Sequence, residues 1–139
     1  MVTVNFKTAS IPKVDFIAVG ARILLGLVFI ASGAAGFFLV NNPPPAPFGL
    51  ASAFQDVFFR SHWVLFVDAT ELITGILLLM NRFVPLALVV FAAVLTNIFI
   101  FHITMMPAGL PAPLFLTILW FIVAWPLRSH FAPLLAQKT

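Results

Sequence analysis

The feature that most limits how this chain can fold is a series of four apolar stretches, over residues 17–40, 63–80, 84–103 and 111–127. A transmembrane helix needs about 20 predominantly apolar residues. Only 8% of the 139 residues are charged, against about 25% in soluble domains, and so few charges cannot cover a soluble domain of this length. We therefore expect an all-α membrane protein, in which residues 1–139 form one domain: a bundle of four transmembrane helices in a lipid bilayer.

A secretory signal peptide is the competing interpretation of the first apolar stretch. Lys7 and Lys13 precede it, and residues 31–33 (Ala-Ser-Gly) resemble a cleavage site. In that case, however, Arg22 would lie inside the apolar core of the signal. The first stretch is therefore predicted to be a transmembrane helix.

The connection between the first two spans contains a proline-rich loop and an amphipathic segment. Residues 41–47 (Asn-Asn-Pro-Pro-Pro-Ala-Pro) cannot continue a helix, because proline lacks the backbone donor and clashes with the preceding turn. Over residues 48–62 apolar side chains recur at spacings of three and four, which predicts a short amphipathic helix in the membrane interface. An irregular loop that caps the bundle is the alternative for this segment.

The composition excludes several chemistries and partners. The chain contains no cysteine, which rules out disulfides, thiol redox exchange, iron–sulfur clusters and thiolate metal sites, and no metal site is predicted. The formal charge of +3 comes from scattered basic residues, so nucleic acid is not an expected partner. The basic residues instead suit the bias that orients membrane proteins.

The distribution of basic residues predicts the orientation of the chain. With four spans, one side of the membrane holds five of them, and the other side holds Arg60, which Asp56 partly offsets. The five are Lys7, Lys13, Arg82, Arg128 and Lys138. Since basic segments stay in the cytoplasm, both termini are predicted to be cytoplasmic. The amphipathic segment and the proline loops would face the opposite side.

Three charged residues fall inside the apolar stretches, where a charge costs roughly 2.5–3.5 kcal/mol on insertion scales. They are Arg22 in the first span and Asp68 and Glu71 in the second. At about 1.5 Å per residue, Arg22 would lie about 8 Å and Glu71 about 13 Å above the cytoplasmic boundary, which predicts an ion pair between them. Asp68 lies one turn further out and would need another partner or a proton. The cluster is a candidate for proton handling or for a purely structural ion pair.

Asn97, His102 and His62 are the candidate ligand-binding residues. Asn97, in the third span, is expected at the depth of Asp68, and the two histidines would lie further out. Together these residues predict a polar column inside the bundle. The structural alternatives are a helix–helix hydrogen bond for Asn97 and an interfacial position for each histidine, and no spacing motif supports a haem held by the two histidines.

Small residues in the first span predict a face that another helix can approach closely. They are Gly26, Gly33 and Gly36, with Ser32 and Ala35. The 17 Phe residues are expected to cover lipid-facing and packing surfaces. Few polar residues line any one helix face, which disfavours a transporter or channel.

Two segments resemble the DoxX family of membrane proteins. Residues 22–33 (Arg-Ile-Leu-Leu-Gly-Leu-Val-Phe-Ile-Ala-Ser-Gly) are similar to its first-helix pattern of an arginine, a glycine four residues later, then Phe and a small residue before glycine. Residues 71–79 (Glu-Leu-Ile-Thr-Gly-Ile-Leu-Leu-Leu), followed by the Asn81-Arg82 turn, are similar to its second-helix signature. The resemblance extends over about residues 17–127, whereas the proline-rich loop and Asp68 depart from it.

The resemblance implies a four-helix protein of the bacterial cytoplasmic membrane. Its relatives would be subunits of thiosulfate:quinone oxidoreductase and proteins associated with membrane redox complexes. The residues that carry the motifs here are Arg22, Gly26, Gly33, Glu71, Gly75 and Arg82.

Two hypotheses for function follow. In the first, the chain is a subunit of a quinone-linked or other electron-transfer complex: Glu71, Asp68 and Arg22 handle protons, and His102 or His62 lies near the ring carbonyl of a bound quinone. Such an oxidoreductase subunit would have no intrinsic cofactor and would need a partner that brings electrons. In the second, the chain is a non-catalytic accessory subunit that packs against a larger respiratory or photosynthetic membrane complex and stabilises it.

Overall fold

The computed structural model describes residues 15–45 and 48–135, and in this part of the chain all regular structure is helical. The α-helices are α1 (Phe16–Leu39), α2 (Leu50–Arg60), α3 (Trp63–Leu79), α4 (Val84–Thr104), α5 (Pro111–Ala124) and α6 (Arg128–Phe131). Short 3-10 helices occupy Pro107–Gly109, Trp125–Leu127 and Ala132–Leu135. The prediction of an all-α membrane protein is confirmed.

Three helical segments in the described ranges are long and apolar enough to cross a membrane. They are α1, α4 and the continuous segment Pro107–Leu134. A fourth candidate arises where α2 and α3 meet, because the two helices together pass the same test but are bent by 82°. The described part of the chain therefore has three candidate spans, or four when the bent pair is counted as one.

Local features of the chain explain where several of the helices begin. The Asp15 carboxylate accepts hydrogen bonds from the backbone N–H groups of Ile17 and Ala18, at 3.1 and 3.2 Å, and so caps the start of α1. His62, with φ of 59°, turns the chain between α2 and α3. Phe83, with φ of 52°, turns it again before α4. Such left-handed residues interrupt a helix and allow the sharp change of direction that follows.

The four longest helices pack side by side in a ring, in the order α1, α3, α4, α5. Short connections make α3, α4 and α5 alternate in direction. Helix α1 runs antiparallel to α3, since Gly26 faces Gly75 and Gly36 faces Asp68. The centre is apolar: Phe29 of α1 meets Phe91 of α4 edge to face, with ring centroids 3.9 Å apart, and both rings are buried. Large apolar side chains such as Phe38, Ile73 and Ile100 are exposed on the outside, as expected of helices surrounded by lipid.

The amphipathic segment after the proline-rich loop is helical, so the alternative of an irregular loop is wrong for residues 50–60. Ala51 is the buried residue of α2. The ring of Phe54 lies 5.5 Å from that of Phe58 and 5.2 Å from that of Phe101 in α4, measured between centroids. Helix α2 thus crosses one end of the bundle, where α1 ends and α3 begins. We call this the α2 end, and we call the opposite end, where Asn81 and Arg82 join α3 to α4, the turn end.

Candidate functional site

The contact between α1 and α3 is built on glycine. A Cβ atom at Gly33 would lie 2.5 Å from the backbone oxygen of Asp68 and 2.8 Å from the backbone nitrogen of Leu72. One at Gly75, on the other helix, would lie 2.8 Å from the backbone oxygen of Gly26. The two backbones therefore touch directly, which confirms the close packing predicted from the small residues of the first span. We call this contact the α1–α3 seam.

Gly36 makes room in the seam for the side chain of Asp68. The Asp68 carboxylate occupies the space in which a side chain at Gly36 would have to lie. Asp68 keeps only 7% of its surface exposed. The absence of a side chain on α1 is thus the local reason why a carboxylate on α3 fits between the two helices.

Glu71 lies one turn from Asp68 along α3 and is 5% exposed. The hydroxyl of Ser32 on α1 and the Asp68 carboxylate are the polar groups beside it. The Oδ2 atom of Asp68 and the Oε2 atom of Glu71 are both buried and have no hydrogen-bond partner in the described part of the chain. The seam therefore holds two neighbouring acidic groups, each with one buried oxygen that has no hydrogen-bond partner.

Arg22 does not form the expected ion pair with Glu71. Its Nη1 atom donates instead to the backbone oxygen of Leu78, near the end of α3. Within residues 15–45 and 48–135 the only ion pair joins Arg60 to Asp56, at 2.7 Å in the exposed helix α2. The predicted Arg22–Glu71 pair is therefore wrong.

The register of the two helices explains this correction. Gly26 faces Gly75 and Leu79, so Arg22, one turn earlier on α1, reaches the last turn of α3. Leu78 is seven residues beyond Glu71, which is about 10 Å along the helix. The last carbonyls of a helix lack intrahelical partners and carry partial negative charge, so they attract a guanidinium.

Asn97 does not join Asp68 either. Its side chain is exposed, and its Nδ2 atom donates to the backbone oxygen of Ala93 in the same helix, at 2.9 Å. The buried side of α4 is formed by Ala87, Leu88, Phe91 and Leu95. Asn97 lies on the opposite side of the helix, which is why the predicted contact does not form.

The two predicted histidines have different surroundings. The Nδ1 atom of His102 is 2.8 Å from the backbone oxygen of Ile98, and its ring packs where Gly109 has no side chain. His62 is exposed at the corner between α2 and α3. No group of three or more potential metal-ligating side chains occurs in the described residues. Asn97, His102 and His62 are not brought together, whereas Asp68 and Glu71 are.

Two cavities lie elsewhere in the described structure. One, of about 910 Å³, is lined by Pro43, Pro44, Phe48 and Gly49 on one side and by α2 on the other. The other is a groove of about 320 Å³ between α4 and α5, lined by Thr96, Trp120 and Phe121 among others. Neither is lined by Asp68, Glu71 or Arg22.

One polar contact was missed by reasoning from the sequence. The Nε1 atom of Trp120 in α5 donates to the backbone oxygen of Leu88 in α4, at 2.9 Å. The only signal was the tryptophan itself, since a buried indole N–H usually finds an acceptor. Its partner is a backbone group, so no side-chain pattern could have identified it.

These observations define an integral membrane protein of packed helices that buries two carboxyl groups in a glycine-lined contact. The DoxX family model matches residues 17–103, more than half of the chain. The chain belongs to the DoxX family, as the arginine–glycine and glutamate–glycine motifs predicted. Comparison with curated proteins and with solved structures gave no match.

Proposed function

We propose that this DoxX protein is a subunit of a quinone-linked or other electron-transfer complex of the bacterial cytoplasmic membrane, and that Asp68 and Glu71 handle protons there. The observation that carries the proposal is the pair of neighbouring carboxyl groups, each buried and each with an unpartnered oxygen. Two such groups without a base beside them are most stable when they hold at least one proton between them. A group that can both hold and release a proton is what a proton-coupled reaction requires.

The proposed membrane arrangement has four passes, with α3 as the second and α2 in the interface. The bend of 82° between α2 and α3 supports this, because a helix nearly perpendicular to a span lies along the membrane plane. Both termini would be cytoplasmic, as the distribution of basic residues predicts. The α2 end of the bundle would then face away from the cytoplasm.

In this proposal a quinone binds to the complex, and no quinone-binding site is assigned to this chain alone. None of Asn97, His102 and His62 lines either of the two cavities described above. When bound in the complex, a quinone would accept electrons and protons. What the chain itself would supply is the pair of carboxyl groups that store and pass on a proton.

The test is the substitution Glu71→Gln in the complex purified with its partners from native membranes. Glutamine keeps the shape of the side chain but cannot carry the proton. Quinone-dependent turnover should fall at least about tenfold, since general acid–base groups contribute roughly 10²–10⁴ in rate. The matched control is Asp56→Asn, an exposed carboxyl group in α2 that should leave turnover unchanged. Unchanged turnover in Glu71→Gln would show that Glu71 does not handle protons in this reaction.

The second candidate, a non-catalytic accessory subunit, is favoured by a different observation. Thr96 and Asn97 are exposed near the middle of α4, beside the groove between α4 and α5. In lipid an exposed amide is more stable against another protein helix than against acyl chains. Under this proposal, Asn97→Leu would lose the larger subunits that co-purify with the wild-type chain in mild detergent. Full retention of those subunits would count against it.

A further inference from the structure

The carboxyl groups of Asp68 and Glu71 do not lie at equal distances from the two ends of the bundle. Asp68 lies five residues after the start of α3, which is about 8 Å at 1.5 Å per residue. Glu71 lies eight residues before the end of α3, about 12 Å from it. On α1, Gly36 faces Asp68 only three residues before that helix ends. The α2 end is therefore the nearer one.

The path toward the turn end is closed by close packing. Gly26 and Gly75 bring the two backbones into direct contact just beyond Glu71. Beyond them, Leu25 and Leu78 are completely buried. The guanidinium of Arg22 is held by the Leu78 carbonyl below this layer. A water molecule needs two to four polar partners. The buried polar side chain of α3 on this stretch is Thr74, whose single hydroxyl falls short of that number.

The path toward the α2 end is shorter and ends at the exposed corner of Ser61 and His62. Between Asp68 and the start of α3, Val64 is the one buried side chain of that helix, with Ala51 of α2 packed at the same end. Beyond it lies the exposed corner at His62. One apolar layer separates the carboxyl pair from water on this side.

We infer that Asp68 and Glu71 exchange protons with the α2 side of the membrane and not with the turn side. The inference rests on the proposed proton role of these residues. Asp68 is the outer group: its carboxylate oxygen takes a proton from a hydronium ion, which leaves as water, and the same O–H bond breaks on release. Glu71, one turn further in, shares that proton with Asp68.

The other charged and titratable groups around α3 leave this route unobstructed. From α1, Arg22 is bound at the turn end. From α2, Asp56 and Arg60 are bound to each other in the exposed helix. From α4, His102 is bonded to its own helix at Ile98. His62 at the α2–α3 corner is thus the titratable side chain that lies outside Asp68 on the route.

The experiment uses the full chain in vesicles of phosphatidylethanolamine and phosphatidylglycerol. Because the chain has no cysteine, Ser61→Cys at the α2–α3 corner reports orientation through a membrane-impermeant maleimide. The infrared C=O band of protonated carboxyl groups, identified by its loss in Asp68→Asn and Glu71→Gln, is followed while the pH is changed on one side. We expect the band to follow the pH on the side where Cys-labelling occurs.

Three outcomes separate the hypotheses. A band that follows the pH of the turn side, or of both sides equally, overturns the one-sided exchange but keeps the proton role. The lack of any such band at all pH values overturns the proton role and this inference with it. Exchange of the band with deuterium should be several-fold faster in Val64→Ala and unchanged in Val84→Ala, the same substitution at a buried position of the turn end. Equal acceleration in both variants would also contradict the inference.

Discussion

Two of the helix–helix contacts in the ring, α1–α3 and α4–α5, are packed in different ways. At the α1–α3 seam, glycines bring two backbones into contact, and two acidic side chains are buried there. Between α4 and α5 lies a groove of about 320 Å³ lined by large side chains such as Phe99 and Phe121, and the indole of Trp120 donates a hydrogen bond from α5 to α4. The first contact has no spare volume, whereas the second has.

This difference indicates where substitutions will be tolerated. Close-packed interiors respond to a single added methyl group, because neighbouring atoms cannot move away. A contact with unfilled volume can absorb changes of side-chain size. We therefore expect the α1–α3 seam to determine the stability and register of the bundle, and the α4–α5 contact to contribute less.

The largest expected effect is that of Gly33→Ala. The new Cβ would lie 2.5 Å from the Asp68 backbone oxygen, and backbone cannot rotate away as a side chain can. We expect the free energy of unfolding, measured by denaturant titration in mixed micelles, to fall by about 3 kcal/mol.

The matched control for this prediction is Gly20→Ala on the same helix. A Cβ at Gly20 meets nothing within 4 Å. Since alanine is the better helix former, this variant should be more stable by about 0.5–1 kcal/mol. If both variants behaved alike, the seam would not be close-packed.

A smaller effect is expected for Gly36→Ala, because the obstacle there is a side chain. The new methyl group would displace the Asp68 carboxylate, with a loss of about 2 kcal/mol in the free energy of unfolding. The diagnostic measurement is a double-mutant cycle with Asp68→Ala. In that background Gly36→Ala should cost little. Additive effects of the two substitutions would show that Gly36 and Asp68 do not share one space.

The helices could be predicted from the sequence, because apolar runs and helix breakers act locally. The predicted third span over residues 84–103 corresponds to α4 at Val84–Thr104. The predicted second span over residues 63–80 corresponds to α3 at Trp63–Leu79. Proline, and turn residues such as Asn81, set these boundaries without reference to the rest of the fold.

The contacts at the candidate site could be predicted only in part. Counting residues from the membrane boundary placed Arg22 near Glu71, but it could not detect that the Leu78 carbonyl, a backbone group, lies closer to the guanidinium. For Asn97 the reason is different. Helix α4 is apolar on nearly all sides, so its periodicity did not show which side is buried. The neighbouring positions of Asp68 and Glu71 followed from helical spacing alone.

The smallest expected effect lies in the α4–α5 contact. Trp120→Phe removes the hydrogen bond to the Leu88 carbonyl and slightly widens a groove that already exists. Since hydrogen bonds between membrane helices contribute about 0.6 kcal/mol on average, we expect a loss of about 1 kcal/mol at most in the same titration. Trp125→Phe, at an exposed position, is the control and should change nothing. A loss in Trp120→Phe as large as that in Gly33→Ala would mean that the indole hydrogen bond, and not glycine packing, holds the ring of helices together.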